Sequence, residues 1–167
     1  MPDTEARRLA TLKSLGILDT PPEMLFDQLT QLGARFLNLS TCLISLIDED
    51  RQWFKSCVGL DGVQSTSRDV AFCDHAIRGN GVMIIPDATR DPRFRNNPLV
   101  TDGLKVRFYA GAPIHYDSSN IGTFCVIGYQ PNPEFGDREA AVLTHLATIT
   151  AEILRRDSDR KTHDVLL

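Results

Sequence analysis

The sequence lacks the features that mark membrane, secreted and nucleic-acid-binding proteins. None of its apolar runs approaches the roughly 20 residues of a membrane-spanning helix. The net charge of −4 provides no basic excess for nucleic-acid phosphates. The first eight residues are charged where a secretory signal would become apolar. We therefore expect a soluble, cytoplasmic protein that binds neither nucleic acid nor membrane.

Cysteine pairs at metal-binding or redox spacing are also missing. The four cysteines, Cys42, Cys57, Cys73 and Cys125, stand singly along the chain. A zinc site needs clustered ligands, so no metal is predicted. In a cytoplasmic chain, cysteines in apolar segments are most often reduced and buried, and we expect this for all four.

Two apolar segments rich in β-branched residues organise the rest of the chain. Residues 105–114 and 121–127 are separated by a turn-rich connector at 116–120. This pattern predicts two neighbouring antiparallel strands at the centre of a sheet. Further strands are predicted at 41–47, 52–58 and 82–85. Residues 59–69 are polar and are interpreted as loop, and the irregular segment from 59 to about 102 is expected to cover one face of the sheet.

Helices are predicted at both ends of the chain, because apolar residues recur at helical spacing in 4–15, 22–38 and 137–156. In the second helix, the stripe expected to face the sheet comprises Leu25, Phe26, Leu29, Leu32, Gly33, Phe36 and Leu37. In the last helix, one face carries Leu143, Leu146, Ala147, Thr150, Ile153 and Leu154. This stripe is larger than packing on the sheet requires, and we expect its end to pair with the N-terminal helix of a partner in a parallel dimer. Residues 158–167 are expected to form a charged, frayed tail.

These elements predict an α+β sandwich in a single domain, residues 1–157. Its parts are the N-terminal helices in 4–38, the sheet and lid in 41–128, and the C-terminal helix at 137–156. The long terminal helices are expected on one face of the antiparallel sheet. Loops and short helices form a lid on the other face, over a pocket.

A series of short motifs runs through nearly the whole chain. They include Glu5-x-x-Arg8, Asp48-x-x-Arg-Gln-Trp-Phe-Lys-Ser56, Phe72-Cys-x-His-Ala-Ile77, Asp87-Ala-x-x-Asp-Pro-Arg-Phe94, Arg107-Phe-Tyr-Ala-Gly-Ala-Pro113 and Ile121-Gly-Thr-x-Cys-Val-Ile127. Together they resemble the GAF domains found near the N-termini of bacterial sensor histidine kinases and diguanylate cyclases. The resemblance implies a central antiparallel sheet of five or six strands, helices behind it and a pocket in front.

The candidate pocket residues are aromatic, charged or nucleophilic side chains of the strands and the lid, together with one glycine that allows close approach to the backbone. They are Trp53, Phe72, Cys73, His75, Asp87, Asp91, Arg93, Phe94, Arg107, Phe108, Tyr109 and Gly111. Because side chains alternate along a strand, Phe108 and Tyr109 must face opposite sides of the sheet.

Several of these residues have two interpretations. Cys73 beside His75 could be an activated thiolate or a ligand contact, or both could belong to a short buried helix. Arg93 could bind a carboxylate or phosphate, or it could pair with Asp87 or Asp91 to fix the loop. The same two interpretations apply to Arg107.

The resemblance implies a non-catalytic sensory module that dimerises through its terminal helices. Such a module can sense a small molecule in the pocket, and it passes a signal to an output kinase or cyclase domain. No catalytic residue is assigned, and the sequence requires no cofactor. The alternative is a small cysteine-dependent redox enzyme, similar to free methionine-R-sulfoxide reductases. Those enzymes use several loop cysteines, whereas residues 79–104 of this chain contain none.

Overall fold

A six-stranded antiparallel sheet lies between two layers in the computed structural model, which describes residues 2–166. The strands are β1 (Thr41–Ile47), β2 (Arg51–Val58), β3 (Ser65–Ser67), β4 (Met83–Ile85), β5 (Phe108–Tyr116) and β6 (Ser119–Gly128). The helices are α1 (Pro2–Ser14), α2 (Met24–Leu37), α3 (Phe72–Ala76), α4 (Pro98–Thr101) and α5 (Asp137–Leu166). The strand order is β3-β2-β1-β6-β5-β4, so β1 and β6 form the centre.

The predicted hairpin in the second half of the chain is confirmed as β5 and β6. Ala110 lies opposite Val126, and Tyr116 lies opposite Ser119 at the turn. The two turn residues, Asp117 and Ser118, both have positive φ, 45° and 66°. Two left-handed residues in a two-residue loop match the right-handed twist of the flanking strands.

The helices α1, α2 and α5 cover one face of the sheet, as predicted. In α2 the buried residues are Phe26, Thr30, Gly33, Ala34 and Leu37. The predicted stripe was wrong at Leu25, Leu32 and Phe36, which are 63%, 55% and 62% exposed. The helix has two apolar stripes, and the one containing the small residues faces the sheet because it allows a closer approach.

Helix α5 continues through 30 residues to Leu166. The predicted end at residue 156 and the predicted frayed tail from 158 are therefore wrong for the described residues. Within the predicted stripe, Leu143, Leu146, Ala147, Thr150 and Leu154 are buried, and Ile153 is half-buried. Leu154 belongs to the core, so the expectation that it lies on a dimer surface was wrong.

Strand β2 contains one extra residue, Lys55. Ile44 lies opposite Ser56, whereas the next residue, Ser45, lies opposite Phe54. Because of this bulge, Lys55 and Ser56 both contact the helical side. The Lys55 ammonium donates to the Pro21 carbonyl, 2.6 Å, and fixes the connector between α1 and α2 to the sheet.

The lid covers the other face of the sheet. It consists of α3, α4 and two short 3-10 helices at Arg68–Val70 and Ala88–Arg90. Edge strand β3 lies within residues 59–69, so interpreting that whole segment as loop was wrong. Its three polar residues, Ser-Thr-Ser, carry no apolar alternation that would predict a strand.

Candidate functional site

An aromatic layer forms the centre of the lid face. The rings of Phe72 and Phe94 stack with centroids 4.3 Å apart, and Tyr109 packs on Phe72 at 5.3 Å. His75 meets Phe94 edge-on at 4.8 Å. The sequence-predicted residues Phe72, Phe94, His75 and Tyr109 are therefore brought together, and their packing locks the lid onto the sheet.

The Cys73 sulfur lies beneath this layer, at the root of the lid. The hydroxyl groups of Tyr109 and Thr123 donate to it at 3.2 and 3.0 Å. The sulfur of Cys125 lies 3.8 Å away. Gly111 makes room for this arrangement, because a Cβ at that position would overlap the Tyr109 hydroxyl.

Hydrogen bonding sets the acidity of this cluster. Burial by itself raises the pKa of the Cys73 thiol, but the hydrogen-bond contacts of Cys73 with Cys125, Thr123 and Tyr109 outweigh it and lower that pKa. The contact with Cys73, together with burial, raises the pKa of Cys125 well above its usual value. Cys73 is therefore the thiol of the pair that ionises first.

His75 takes no part in this polarisation. Among the described residues, the hydrogen-bond partners of the Cys73 sulfur are Tyr109, Thr123 and Cys125. Burial and the nearby Arg78 guanidinium lower the pKa of His75, which favours the neutral imidazole. The interpretation of 72–77 as a short buried helix agrees with the burial of Phe72, Cys73 and Ile77.

The charged candidates at the rim hold the loops in place. Arg93 makes a two-pronged ion pair with Asp91, at 3.0 and 2.9 Å, and its guanidinium lies over the Phe94 ring. Asp87 accepts from the backbone N–H of Thr89 at 3.0 Å, as the N-cap of a 3-10 helix. These contacts match the loop-fixing interpretation of Arg93.

Arg107 also has a structural role. Its guanidinium donates to the carbonyl oxygens of Val100 and Val106, at 3.0 and 3.1 Å. The first of these contacts satisfies a carbonyl of the short helix α4. The arginine therefore fastens the end of the lid to the start of β5.

Trp53 and Phe108 do not belong to this site. Both are buried in the cluster under the helices, where the Phe108 ring packs on Phe135 at 5.0 Å. Tyr109 and Phe54, their neighbours along the strands, face the lid instead. The expected alternation of Phe108 and Tyr109 is confirmed, and the assignment of Trp53 and Phe108 to the pocket was wrong.

The space between sheet and lid is small. A cavity of about 30 Å³ remains there, and Cys73, Tyr109, Gln52 and Thr66 are among its lining residues. Small-molecule sites usually measure about 300–1,000 Å³, so the expected pocket is filled by side chains. A larger groove of about 780 Å³ runs outside the lid face, between the end of α2 and the connector at 128–132.

An ion-pair chain that the sequence did not reveal joins the lid to α1. Arg68 donates to Asp74 of α3 at 2.8 Å and to Glu5 of α1 at 2.7 Å. Glu5 also accepts from Arg8, whose guanidinium reaches the Ile47 carbonyl at 2.7 Å. The partners are up to 63 positions apart, so no local spacing could indicate them.

Comparisons with known proteins agree with this architecture. The family described as "GAF domain" matches residues 21–154. A cyclic di-GMP phosphodiesterase of Pseudomonas aeruginosa is 39% identical over 149 residues, which are 89% of this chain and 25% of that protein. The chain thus spans about a quarter of the length of this curated relative.

Solved structures show the same fold at low identity. The GAF domain of a phosphoenolpyruvate-protein phosphotransferase from Coxiella burnetii has a TM-score of 0.68 at 14% identity, covering 96% of this chain and 98% of that one. A free methionine-R-sulfoxide reductase from Neisseria meningitidis has a TM-score of 0.64 at 15% identity, covering 96% of this chain and 88% of that one.

Within residues 2–166, no helix is long and apolar enough to cross a membrane, and this includes the 30-residue α5.

Proposed function

Because this chain belongs to the GAF domain family, we propose that it is a non-catalytic sensory and dimerisation module of bacterial signal transduction. The observation that carries the proposal is an apolar stripe on α2 that faces away from the sheet. It comprises Leu25, Leu29, Leu32 and Phe36, with Leu29 half-buried and the other three exposed.

The spacing of this stripe suits association with a second copy. Steps of four, three and four residues repeat the pattern by which two helices pack along a seam. Exposed Ile149 adds apolar surface on α5, the helix that contacts α2. Two identical stripes related by a twofold axis cover each other, which is the commonest symmetry of small homo-oligomers.

Sedimentation velocity of the purified protein tests the dimer. We expect the wild-type chain to be a dimer, and the double variant Leu32→Glu, Phe36→Glu to be a folded monomer with an unchanged far-UV circular dichroism spectrum. Leu104→Glu is the matched control, since Leu104 is an exposed apolar residue of the lid, 41% exposed, and should leave the dimer intact. A wild-type monomer at all concentrations would refute the proposal.

In this function, a signal passes through the contacts between the helices, the sheet and the lid. Helix α5 packs on β5 and β6, and α1 is bonded to the lid through Arg68. A small molecule would enter the lid face only by displacing rings such as Phe72 or Phe94. Native mass spectrometry beside the denatured sample tests this, because a bound molecule adds mass that denaturation removes.

The output domain is also part of the proposal. The curated relative is about four times longer than its matching region and is named for cyclic di-GMP hydrolysis. We propose that this chain regulates a domain of cyclic di-GMP turnover or a histidine kinase, in the cytoplasm, where thiols stay reduced. Activity of the output domain, measured with and without this chain, tests that assignment.

The chain itself is proposed to have no catalytic activity. Cys73 is buried beneath the aromatic layer, which excludes a substrate the size of methionine sulfoxide, and residues 79–104 contain no cysteine. Reduction of free methionine sulfoxide with thioredoxin as electron donor, abolished by Cys73→Ser, would overturn this part of the proposal.

A further inference from the structure

We propose that Cys73 and Cys125 form a buried dithiol that hydrogen peroxide oxidises to a disulfide, which alters the ion-pair chain between the lid and α1. The two thiols belong to different layers, since Cys73 lies in the lid helix α3 and Cys125 in the central strand β6. A bond between them would join the lid covalently to the sheet.

The geometry brings the two sulfurs together and polarises one of them. They lie 3.8 Å apart, and Cys73 and Cys125 are 2% and 0% exposed. The Thr123 and Tyr109 hydroxyls both donate to Cys73, at 3.0 and 3.2 Å. Charge on Cys73 is thereby stabilised, which makes it the nucleophile, while Cys125 stays protonated as the second thiol.

The cavity beside Cys73 limits which oxidant can reach it. Its volume of about 30 Å³ exceeds the roughly 10–15 Å³ that a single water molecule requires. Gln52 and Thr66 line it together with Cys73, in a wall that is otherwise mostly apolar. Hydrogen peroxide is only slightly larger than water and fits, whereas a peptide disulfide such as oxidised glutathione does not.

The oxidation runs in two steps. The Cys73 thiolate attacks one peroxide oxygen, the O–O bond breaks, and the departing hydroxide takes a proton to become water. Cys73 is then a sulfenic acid, oxidised by two electrons while the peroxide is reduced. The Cys125 thiol attacks that sulfur, the S–O bond breaks, and a second water leaves with the Cys125 proton. Two thiols and one peroxide thus give one disulfide and two waters.

Closure of the disulfide moves the lid helix. An S–S bond measures about 2.04 Å, so the sulfurs must approach by about 1.8 Å. Asp74, the next residue of α3, accepts from Arg68 at 2.8 Å, and Arg68 holds Glu5 of α1. Any part of this approach that is taken up by movement of α3 shifts Asp74 and disturbs that contact. The effect on α1 rests on the proposed function, in which a signal passes between the layers of the fold, whereas disulfide formation does not.

Peptide mapping of the purified protein tests the disulfide. After treatment with hydrogen peroxide at pH 7, we expect a loss of two hydrogens from the intact mass and a cross-linked Cys73–Cys125 peptide. Half-buried Cys57 is the internal comparison, and we expect its oxidation to be at least about tenfold slower, since burial raises its pKa. Oxidised glutathione should leave both thiols of the pair free.

Two variants define the roles of the sulfurs. Cys125→Ala should stop at a sulfenic acid on Cys73, which dimedone traps, and Cys73→Ala should yield neither product. Oxidation of Cys57 without a Cys73–Cys125 cross-link in the wild-type protein would overturn the proposal. A cross-link that forms only in urea-unfolded protein would overturn it as well.

Thr123→Val tests the positioning role of the hydroxyl group. Because a hydrogen bond to a charged group is removed, the midpoint of the oxidation rate against pH should rise by about one unit. The disulfide should still form at high pH. An unchanged profile would contradict the assignment of Cys73 as the polarised thiol.

Amide hydrogen exchange tests the effect on α1 separately from the formation of the disulfide. Oxidation of the wild-type protein should increase amide exchange in α1, and Asp74→Asn should form the same disulfide with no further change in α1. A normal disulfide without any change in α1 would refute the coupling, and with it this part of the proposed function, while leaving the dithiol site intact.

Discussion

Replacing Gly33 with Ala should destabilise the protein, although the change favours the helix locally. Gly33 lies in the middle of α2, on the buried side. A Cβ at this position would lie 3.0 Å from the Cys42 sulfur, 3.1 Å from a ring carbon of Phe124 and 3.3 Å from a methyl of Leu146. The glycine thus lies where α2, α5 and the sheet pack against one another.

Two opposing effects set the magnitude. Gly→Ala in a helix interior stabilises by about 1 kcal/mol through propensity. Overpacking a filled core costs about 1–3 kcal/mol. All three neighbours are themselves buried, and Phe124 is on a central strand at 0% exposure, so they have little room to move. We therefore expect a net loss of about 1 kcal/mol, which lowers the melting temperature by about 2–4 °C for a chain of this size.

Urea and thermal unfolding, each at several protein concentrations, measure this loss independently of association. Gly81→Ala is the matched control, because a Cβ there meets nothing within 4 Å. It should leave stability unchanged or slightly raised. If Gly33→Ala were as stable as the wild type, there would be room for a methyl group between α2 and α5, and the predicted overpacking at Gly33 would be wrong.

Three further predictions concern the site. Phe94→Ala should lower the free energy of unfolding by about 3–5 kcal/mol, measured in urea, because the ring is fully buried and stacked on Phe72. Arg93→Ala should change it by less than about 1 kcal/mol in the same assay, since its ion pair is exposed; a larger loss would show that this loop contact is essential. Arg8 and Arg68 hold the pKa of Glu5 at about 2, below its usual value near 4.5. The ionised carboxylate therefore stabilises the fold above about pH 4.5, and stability should decline as the pH falls through about 2. Glu5→Gln should lack that part of the decline in acid unfolding curves, and an identical curve would contradict the role of Glu5.

Periodicity predicted α2 but not its orientation. Apolar residues occupy two adjacent stripes of this helix, one with Phe26, Gly33 and Leu37 and one with Leu25, Leu32 and Phe36. Both have helical spacing, and the second has the larger side chains. The sheet selects the first because close packing requires small residues at the contact, and that requirement depends on the neighbouring layers.

The sequence predicted most of the residues that meet at the lid face, but not the direction in which each side chain points. Alternation placed Tyr109 opposite to Phe108, and the aromatic residues of 72–94 gathered as expected. The position of Trp53 could not be derived, because the strand pairing and the bulge at Lys55 decide which face each β2 side chain takes. Thr123 and Cys125, two residues apart on one strand, were a usable signal for a polar patch facing Cys73.

The length of α5 has a mechanical consequence. From Asp159 to Leu166 each described residue is exposed, whereas Leu143 to Leu154 are fixed to the sheet. Eight residues of helix extend about 12 Å. A tilt of about 10° at the fixed part therefore displaces the tip by about 2 Å, as large as the helix shifts that switch many regulatory proteins. The exposed end of α5 therefore moves further than its packed part whenever the helix tilts against the sheet.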